Sequence, residues 1–327
     1  MKRVFQNQSE LSESIGGVGP PDRALPGRAA ALLTLASLVF ASTPVLAQRD
    51  FDKVTIKTTD LGDGLAMLQG AGGNIGVSTG ADGVFLIDDQ YAPLTAKIEA
   101  AVRTLSEEKI RFVLNTHWHG DHTGGNENLG EAGALILAHE RVRVRMSRDQ
   151  FRPLTGQETP ASAEIAWPVI TFEDGVTLHL NGHTIEAIHV DPAHTDGDSI
   201  VYFHEADLLH MGDTYFAGFY PFIDTSSGGT VDGMIAAADR GLRLAGPKTR
   251  IIPGHGPLST RADLAATRTM LISIRDRVLK LIEDGQDRDQ VIAAMPTKEH
   301  DAVYGRGFIK PAVFAGIVYD SLKGEGR

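Results

Sequence analysis

The run Asn115-Thr116-His117-Trp118-His119-Gly120-Asp121-His122-Thr123-Gly124-Gly125 puts four metal-ligating side chains within six residues. An extended segment alternates its side chains, so His117 and His119 project the same way and two imidazoles can grip one ion. Gly120 permits a bend that turns Asp121 and His122 toward a second site. A lone histidine is ordinary packing or surface, but such a cluster is hard to explain as structure. Three further candidates stand at strand ends beside glycines: His194 in Asp191-Pro192-Ala193-His194-Thr195-Asp196-Gly197-Asp198, Asp213 in His210-Met211-Gly212-Asp213-Thr214, and His255 in Pro253-Gly254-His255-Gly256-Pro257. Loops at strand ends carry grafted chemistry, so all three can converge with the first run on one cleft. The chain has no cysteine, which excludes a thiolate ligand, a cysteine nucleophile and a disulfide. Nitrogen and oxygen ligands suit zinc, with manganese or iron as chemical alternatives.

Positioning these residues requires strands that end together. Short apolar runs at Val54 to Ile56, Leu65 to Leu68, Asn74 to Ser78 and Val84 to Ile87, separated by glycine-rich turns, predict a meander of hairpins. Helical spacing over Thr95 to Leu105, followed by a strand over Arg111 to Leu114, predicts a βαβ unit. A strand over Ala134 to Ala138 and a helix through Val142 and Met146 repeat it. The second half offers strands near Val169 to Phe172, Val176 to Leu180, Thr184 to His189, Ser199 to His204, Leu208 to Met211 and Arg250 to Ile252. Helices are predicted over Asp232 to Leu244 and from Thr260, where Asp263 completes a capping pair; another opens at Asp287 with Gln290 and stops before Pro296. His139, His179, His183, His189, His204, His210 and His300 read as structural or solvated. Trp118 either touches substrate or packs beneath the metal loop.

Residues 1–47 read as an export signal: an apolar run from Ala29 to Ala41 follows Arg28 and precedes small residues, with cleavage expected after Ala47. The run is too short for the roughly 20 apolar residues of a spanning helix. The expected product is a periplasmic or secreted protein with no membrane contact in its mature form. Its formal net charge of −11 becomes one unit more negative when that segment leaves, and a surface so acidic repels phosphate backbones, which argues against a nucleic-acid partner.

The ligand set resembles the metallo-β-lactamase superfamily of metal-dependent hydrolases, from about Val54 to His255. The His-x-His-x-Asp-His run, the lone histidine, the aspartate after a strand and the histidine in Gly-His-Gly stand in that family's order. The strand ending in Ile87-Asp88 looks like its early Leu-Ile-Asp motif. The resemblance implies an α/β (α+β) fold: a four-layer αβ/βα sandwich of two mixed β-sheets flanked by helices. The catalytic domain would span 48–260, with a helical C-terminal extension over 261–327 packed on it. It further implies two zinc ions, one on His117, His119 and His194, the other on Asp121, His122 and His255, with Asp213 bridging them and Asp88 orienting a ligand. A hydroxide shared by two ions roughly 3.5 to 4 Å apart would attack an acyl carbon. Asp121 is the residue expected to orient it and shuttle its proton.

The partner is then a small acyl compound. Export and the order His194-Thr195-x-x-Asp198 followed by Ile200 to Phe203 favour hydrolysis of a β-lactam, a cyclic amide. Phe216 stands where the sulfur-ligand lactamases carry a carboxylate-binding lysine, and an aspartate at 213, where they carry cysteine, resembles instead thioesterases of the glyoxalase II type and lactonases. Sulfur dioxygenation at a single iron is a third possibility on the same fold. A flavin-coupled di-iron reductase is disfavoured because His119 replaces the expected glutamate and no flavin domain follows. Substrate loops are expected at Gln69 to Asn74, Phe151 to Trp167 and Phe216 to Gly229.

Overall fold

A computed structural model describes residues 50–154 and 156–324. The export signal expected over 1–47 lies outside them, and no described helix is long and apolar enough to cross a membrane.

The first sheet takes strands β1 (Lys57–Gly62), β2 (Leu65–Gln69), β3 (Ile75–Ser78), β4 (Val84–Ile87), β5 (Ile110–Asn115) and β6 (Leu135–His139). Between β4 and β5 runs α1 (Thr95–Arg103), and after β5 come the single turn α2 (Gly120–Thr123) and α3 (Asn126–Glu131). Beyond β6, α4 (Glu140–Met146) leads to a small hairpin of β7 (Gln150–Arg152) and β8 (Gln157–Thr159), and β9 (Ile170–Phe172) returns to the sheet beside β6. The second sheet holds β10 (Gly175–Leu180), β11 (His183–His189), β12 (Ser199–Phe203), β13 (Leu208–His210), β14 (Arg250–Ile252) and β15 (Ser259–Thr260), in that order. Its remaining helices are α5 (Val231–Leu244), α6 (Arg261–Glu283), α7 (Arg288–Ala293), α8 (Asp301–Tyr304) and α9 (Pro311–Lys323). Both sheets are mixed: β4, β5, β6 and β9 run parallel, as do β13 and β14, and the other neighbours are antiparallel.

Strand alternation sorts the apolar side chains into the spaces of a helix, sheet, sheet, helix sandwich. Along β2 and β4, Leu65, Met67, Phe85 and Ile87 point between the sheets and meet Val201, Phe203, Leu208 and Ile252. Their neighbours Ala66, Leu68, Val84 and Leu86 face outward against Leu94, Ile98 and Val102 at α1. On the far side Ile200, Leu209 and Ile251 pack under α5, α6 and α9 through Met234, Leu264, Ile274 and Phe314. Because both faces of each sheet are covered, the central strands are continuous apolar runs, and this is why they were legible.

The first strand departs from the sequence reading. Val54 and Ile56 pack as partly buried side chains on the α1 side, and the strand begins only at Lys57, where a half-polar edge pairs with β2. The helix starts agree with the sequence: Thr260 with Asp263, and Asp287 with Gln290, each form a reciprocal capping box.

Candidate metal centre

Parallel pairing brings the carboxyl ends of the working strands to one rim of the sandwich. Pairing of Ile87 with Leu114 sets Asp88 beside Thr116, and pairing of His210 with Ile252 sets Asp213 beside the Pro253–His255 turn. His194 comes from the loop between β11 and β12, which Ser199 N ties to Thr116 O at 2.9 Å.

All seven side chains singled out as ligands meet there. His117, His119 and His194 bring nitrogens within 4.8 Å of one another; His117, His122 and Asp213 form a second such group, and Asp121, His122 and His255 a third. Asp213 stands between them. One of its oxygens lies 3.5 Å from His194 Nε2, 3.9 Å from His117 Nε2 and 3.3 Å from His255 Nε2, while the other lies 3.1 Å from His122 Nε2. Asp121 Oδ2 is 3.4 Å from His255 Nε2.

The hydrogen-bond network of His117, His119, His122 and His194 engages one nitrogen of each ring and turns the other inward. His122 Nδ1 donates to Asp88 Oδ2 at 2.8 Å, so Nε2 is the nitrogen turned toward the cluster. Thr116 Oγ1 donates to the same oxygen at 2.8 Å and accepts from His117 Nδ1 at 3.1 Å. His194 Nδ1 donates to Phe222 O at 2.8 Å. His119 is turned the other way, Nε2 donating to Asp224 Oδ2 at 2.9 Å. His119 Nδ1 and His194 Nε2 therefore confront each other at 2.8 Å with no proton to share. His117 Nε2 and Asp213 Oδ1 are buried without a hydrogen-bond partner. Inward lone pairs and orphaned buried acceptors fit a cation, and an all nitrogen and oxygen donor set of this kind fits zinc.

Electrostatics divide the cluster. Burial holds the His117 ring well below its usual protonation range, aided by His122 and His194, and lowers His119 to about 4 against the pull of Asp224. In the other half burial again disfavours charge, but Asp213 and neighbouring carboxylates outweigh it, holding His122 well above its ordinary value and His255 at about 9. Asp213 in turn is held well below the carboxylate range despite burial, chiefly by His255 and His122. Asp121 is shifted the same way by His122 and His255.

Asp88 also accepts from Thr116 N at 2.7 Å. Its φ of +64° is left-handed, a conformation that costs a non-glycine residue about 1 to 3 kcal/mol and is held here by three hydrogen bonds. Two glycines are required by close approach. A Cβ on Gly254 would sit 2.0 Å from Asp213 Oδ1, and one on Gly73 would sit 2.0 Å from the His122 ring. Gly120 is different: it opens α2 with ordinary φ and has empty space where a Cβ would go, so the bend does not depend on glycine.

Asp224, bonded to His119, is a candidate that the sequence reading passed over. It lies in the Asp224-Thr225-Ser226-Ser227 turn inside the third expected substrate loop, where an aspartate and two serines read as ordinary turn chemistry. Ser226 Oγ and Ser227 Oγ both donate to it, at 2.5 and 2.7 Å, and Trp118 Nε1 donates to Ser227 Oγ at 3.2 Å. Trp118 packs, buried, with Ala138, Val142 and Met146. Among the histidines read as structural, His139 and His189 stack face to face at 3.7 Å, and His210 Nε2 bonds Asn74 O at 3.1 Å.

An αβ/βα sandwich carrying a histidine and carboxylate cluster on its rim defines the class of protein. The chain belongs to the metallo-beta-lactamase superfamily, whose profile matches residues 69–258. It is 25% identical over 231 residues to the lactamase-like protein aptB of Emericella nidulans, covering 71% of this chain and 62% of that protein. With a hydroxyacylglutathione hydrolase of Gloeobacter violaceus it shares 32% identity over 144 residues, 41% of this chain and 49% of the relative. The chain thus spans less than two thirds of the length of these curated relatives. A metallo-beta-lactamase from Pontibacter korlensis superposes with a TM-score of 0.55 at 18% identity, over 66% of this chain and 99% of that structure, a likeness of fold.

Proposed function

We propose that the chain is an exported binuclear zinc hydrolase that cleaves an acyl bond. The observation that carries this reading is the Asp213 carboxylate, within 3.9 Å of histidine nitrogens from both halves of the cluster. His117, His119 and His194 would hold one ion and Asp121, His122 and His255 the other, with Asp213 touching both. Bound zinc supplies a Lewis acid for the acyl oxygen and acidifies water to a pKa of roughly 7.

The chain's own side chains do the rest. Asp121 is 24% exposed, whereas Asp213 is 5% and Asp88 is sealed, so Asp121 is the carboxylate of this set that incoming water reaches. Ionised, it accepts the proton of the attacking water and passes it toward the leaving group. His255, 20% exposed, borders the same opening. Asp88 and Asp224 hold His122 and His119 in the orientations that aim their lone pairs inward.

For the acyl substrate, a thioester is the first reading, supported by a carboxylate rather than a thiolate at position 213 and by relatives named hydroxyacylglutathione hydrolase over about two fifths of the chain. Opening of a cyclic amide is the second. It is favoured by the loop from His194 to Asp198, which resembles that of lactamases and is locked by His194 N and Thr195 N donating to Asp198 Oδ2 at 2.6 and 2.9 Å. Metal analysis of the purified protein, followed by parallel assays with a hydroxyacylglutathione, a lactone and a chromogenic cephalosporin, tests both. Turnover of the thioester above the cephalosporin supports the first reading; the reverse order supports the second, and failure of all three with two zinc ions bound refutes acyl hydrolysis.

A further inference from the structure

The opening beside His255 and Asp121 has an aromatic wall that the ligand set does not explain. Phe216, fully buried, stacks on the His255 ring at 5.1 Å with 19° between planes and also approaches His194 at 6.0 Å. Next along that wall is Phe308, whose ring lies 6.2 Å from Phe216 and 6.4 Å from His255, distances of ordinary aromatic contact. Phe308 is 62% exposed, in contrast to the buried aromatics around it. It comes from the turn between α8 and α9, far from the ligand loops in sequence.

That turn is fastened to the loop following Asp213. Tyr220 N donates to Tyr304 O at 3.0 Å, Tyr220 Oη donates to Asp301 Oδ1 at 2.8 Å, and the Tyr220 ring stacks on Phe314 at 4.7 Å. Gly307 lies so close that a Cβ there would stand 2.5 Å from Phe219 Cβ. Lys310 Nζ donates to Gly307 O at 2.8 Å across the turn. A fastened backbone presenting an open phenyl ring beside the partly exposed His255 and Asp121 is a built surface, and a large apolar side chain left open there is suited to an apolar group on what binds beside them.

We infer that Phe308 is a specificity-determining residue: it receives the apolar, preferably aromatic, substituent of an acyl substrate and so selects such compounds over short-chain ones. The inference rests on the reading of this cleft as an acyl-hydrolase site. Its test uses binding, so it stands apart from which bond is cleaved. The zinc-loaded protein is titrated calorimetrically with phenylacetate and with acetate, two carboxylates alike in their charged end, and so are Phe308→Ala and Phe308→Leu. The wild type should bind phenylacetate at least about tenfold more tightly, a contrast of the size that pocket complementarity supplies. Phe308→Ala should reduce that preference below about twofold, and Phe308→Leu should keep part of it, with zinc content unchanged in both. A wild type without the preference, or one whose preference survives in Phe308→Ala, overturns the inference. So does a wild-type dimer that Phe308→Ala converts to a monomer, because the ring would then belong to a self-association face. Where an acyl substrate is turned over, the Ala variant should raise KM for phenylacetyl compounds and leave kcat within about twofold.

Discussion

Asp224 Oδ2 accepts the Nε2 proton of His119 at 2.9 Å, across 105 positions of sequence, and so decides that His119 faces the cluster with Nδ1. The same carboxylate is braced by two serines, one of which holds Trp118. The ligand loop and the loop after Asp213 are thereby one hydrogen-bonded unit. Removing such an outer carboxylate weakens metal binding by about ten- to a hundredfold. Asp224→Ala should show that loss in competition with a chromogenic chelator while the fold, read by circular dichroism, is retained. Wild-type affinity in the variant would mean that the contact does not orient the ligand.

Asp121→Ala should retain the ion on His117, His119 and His194 and lose the second. Hydrolysis should fall by at least about 100-fold, the order that a positioned base contributes. Elemental analysis alongside the rate checks this, and turnover near that of the wild type would contradict the assigned role.

The two glycines flanking the site predict opposite outcomes. Gly254→Ala drives a methyl against Asp213 and should deplete both metal sites, whereas Gly120→Ala meets open space and should leave zinc content unchanged. Zinc content in the two variants decides the matter, and equal depletion would show that the close approach at Gly254 is not what holds Asp213.

Protonation predicts asymmetric metal uptake. In the metal-free protein His117 and His119 are kept neutral by burial, so the first ion displaces few protons; His122 and His255 are kept charged by Asp213, so the second displaces more. Affinity for that second ion should therefore climb as pH rises toward about 9, and calorimetry in buffers of different ionisation enthalpy counts the protons. The metal-free fold should respond in the opposite sense. A folded His255 that keeps its proton to about 9, against roughly 6.5 unfolded, adds stability that is complete below 6.5 and is lost as pH rises through 9. The Tm of the metal-free protein should fall across that interval, and an unchanged or rising Tm would contradict the assignment.

The candidate ligands were legible because four of them fall within six residues and the others follow strands beside glycines, so local spacing carried the signal. Asp88, at the end of the apolar run Val84–Ile87, was legible only through the resemblance of that strand end to the family's early motif. Asp224 and Phe308 were not, since what singles them out is proximity to His119 and His255, created by packing between loops distant in sequence. Buried strands such as Val84–Ile87 announce themselves by apolar runs. The edge strand Lys57–Gly62 and the polar hairpin Gln150–Thr159 carry few apolar residues, and pairing partners rather than composition define them.

The central claim is that two ions on these side chains, joined through Asp213, perform acyl hydrolysis. Its most direct test is the hydrolysis rate of metal-free protein as zinc is added in measured equivalents. The rate should stay low through the first equivalent, rise through the second and then level off. Full activity at one equivalent, or none at two, would contradict it.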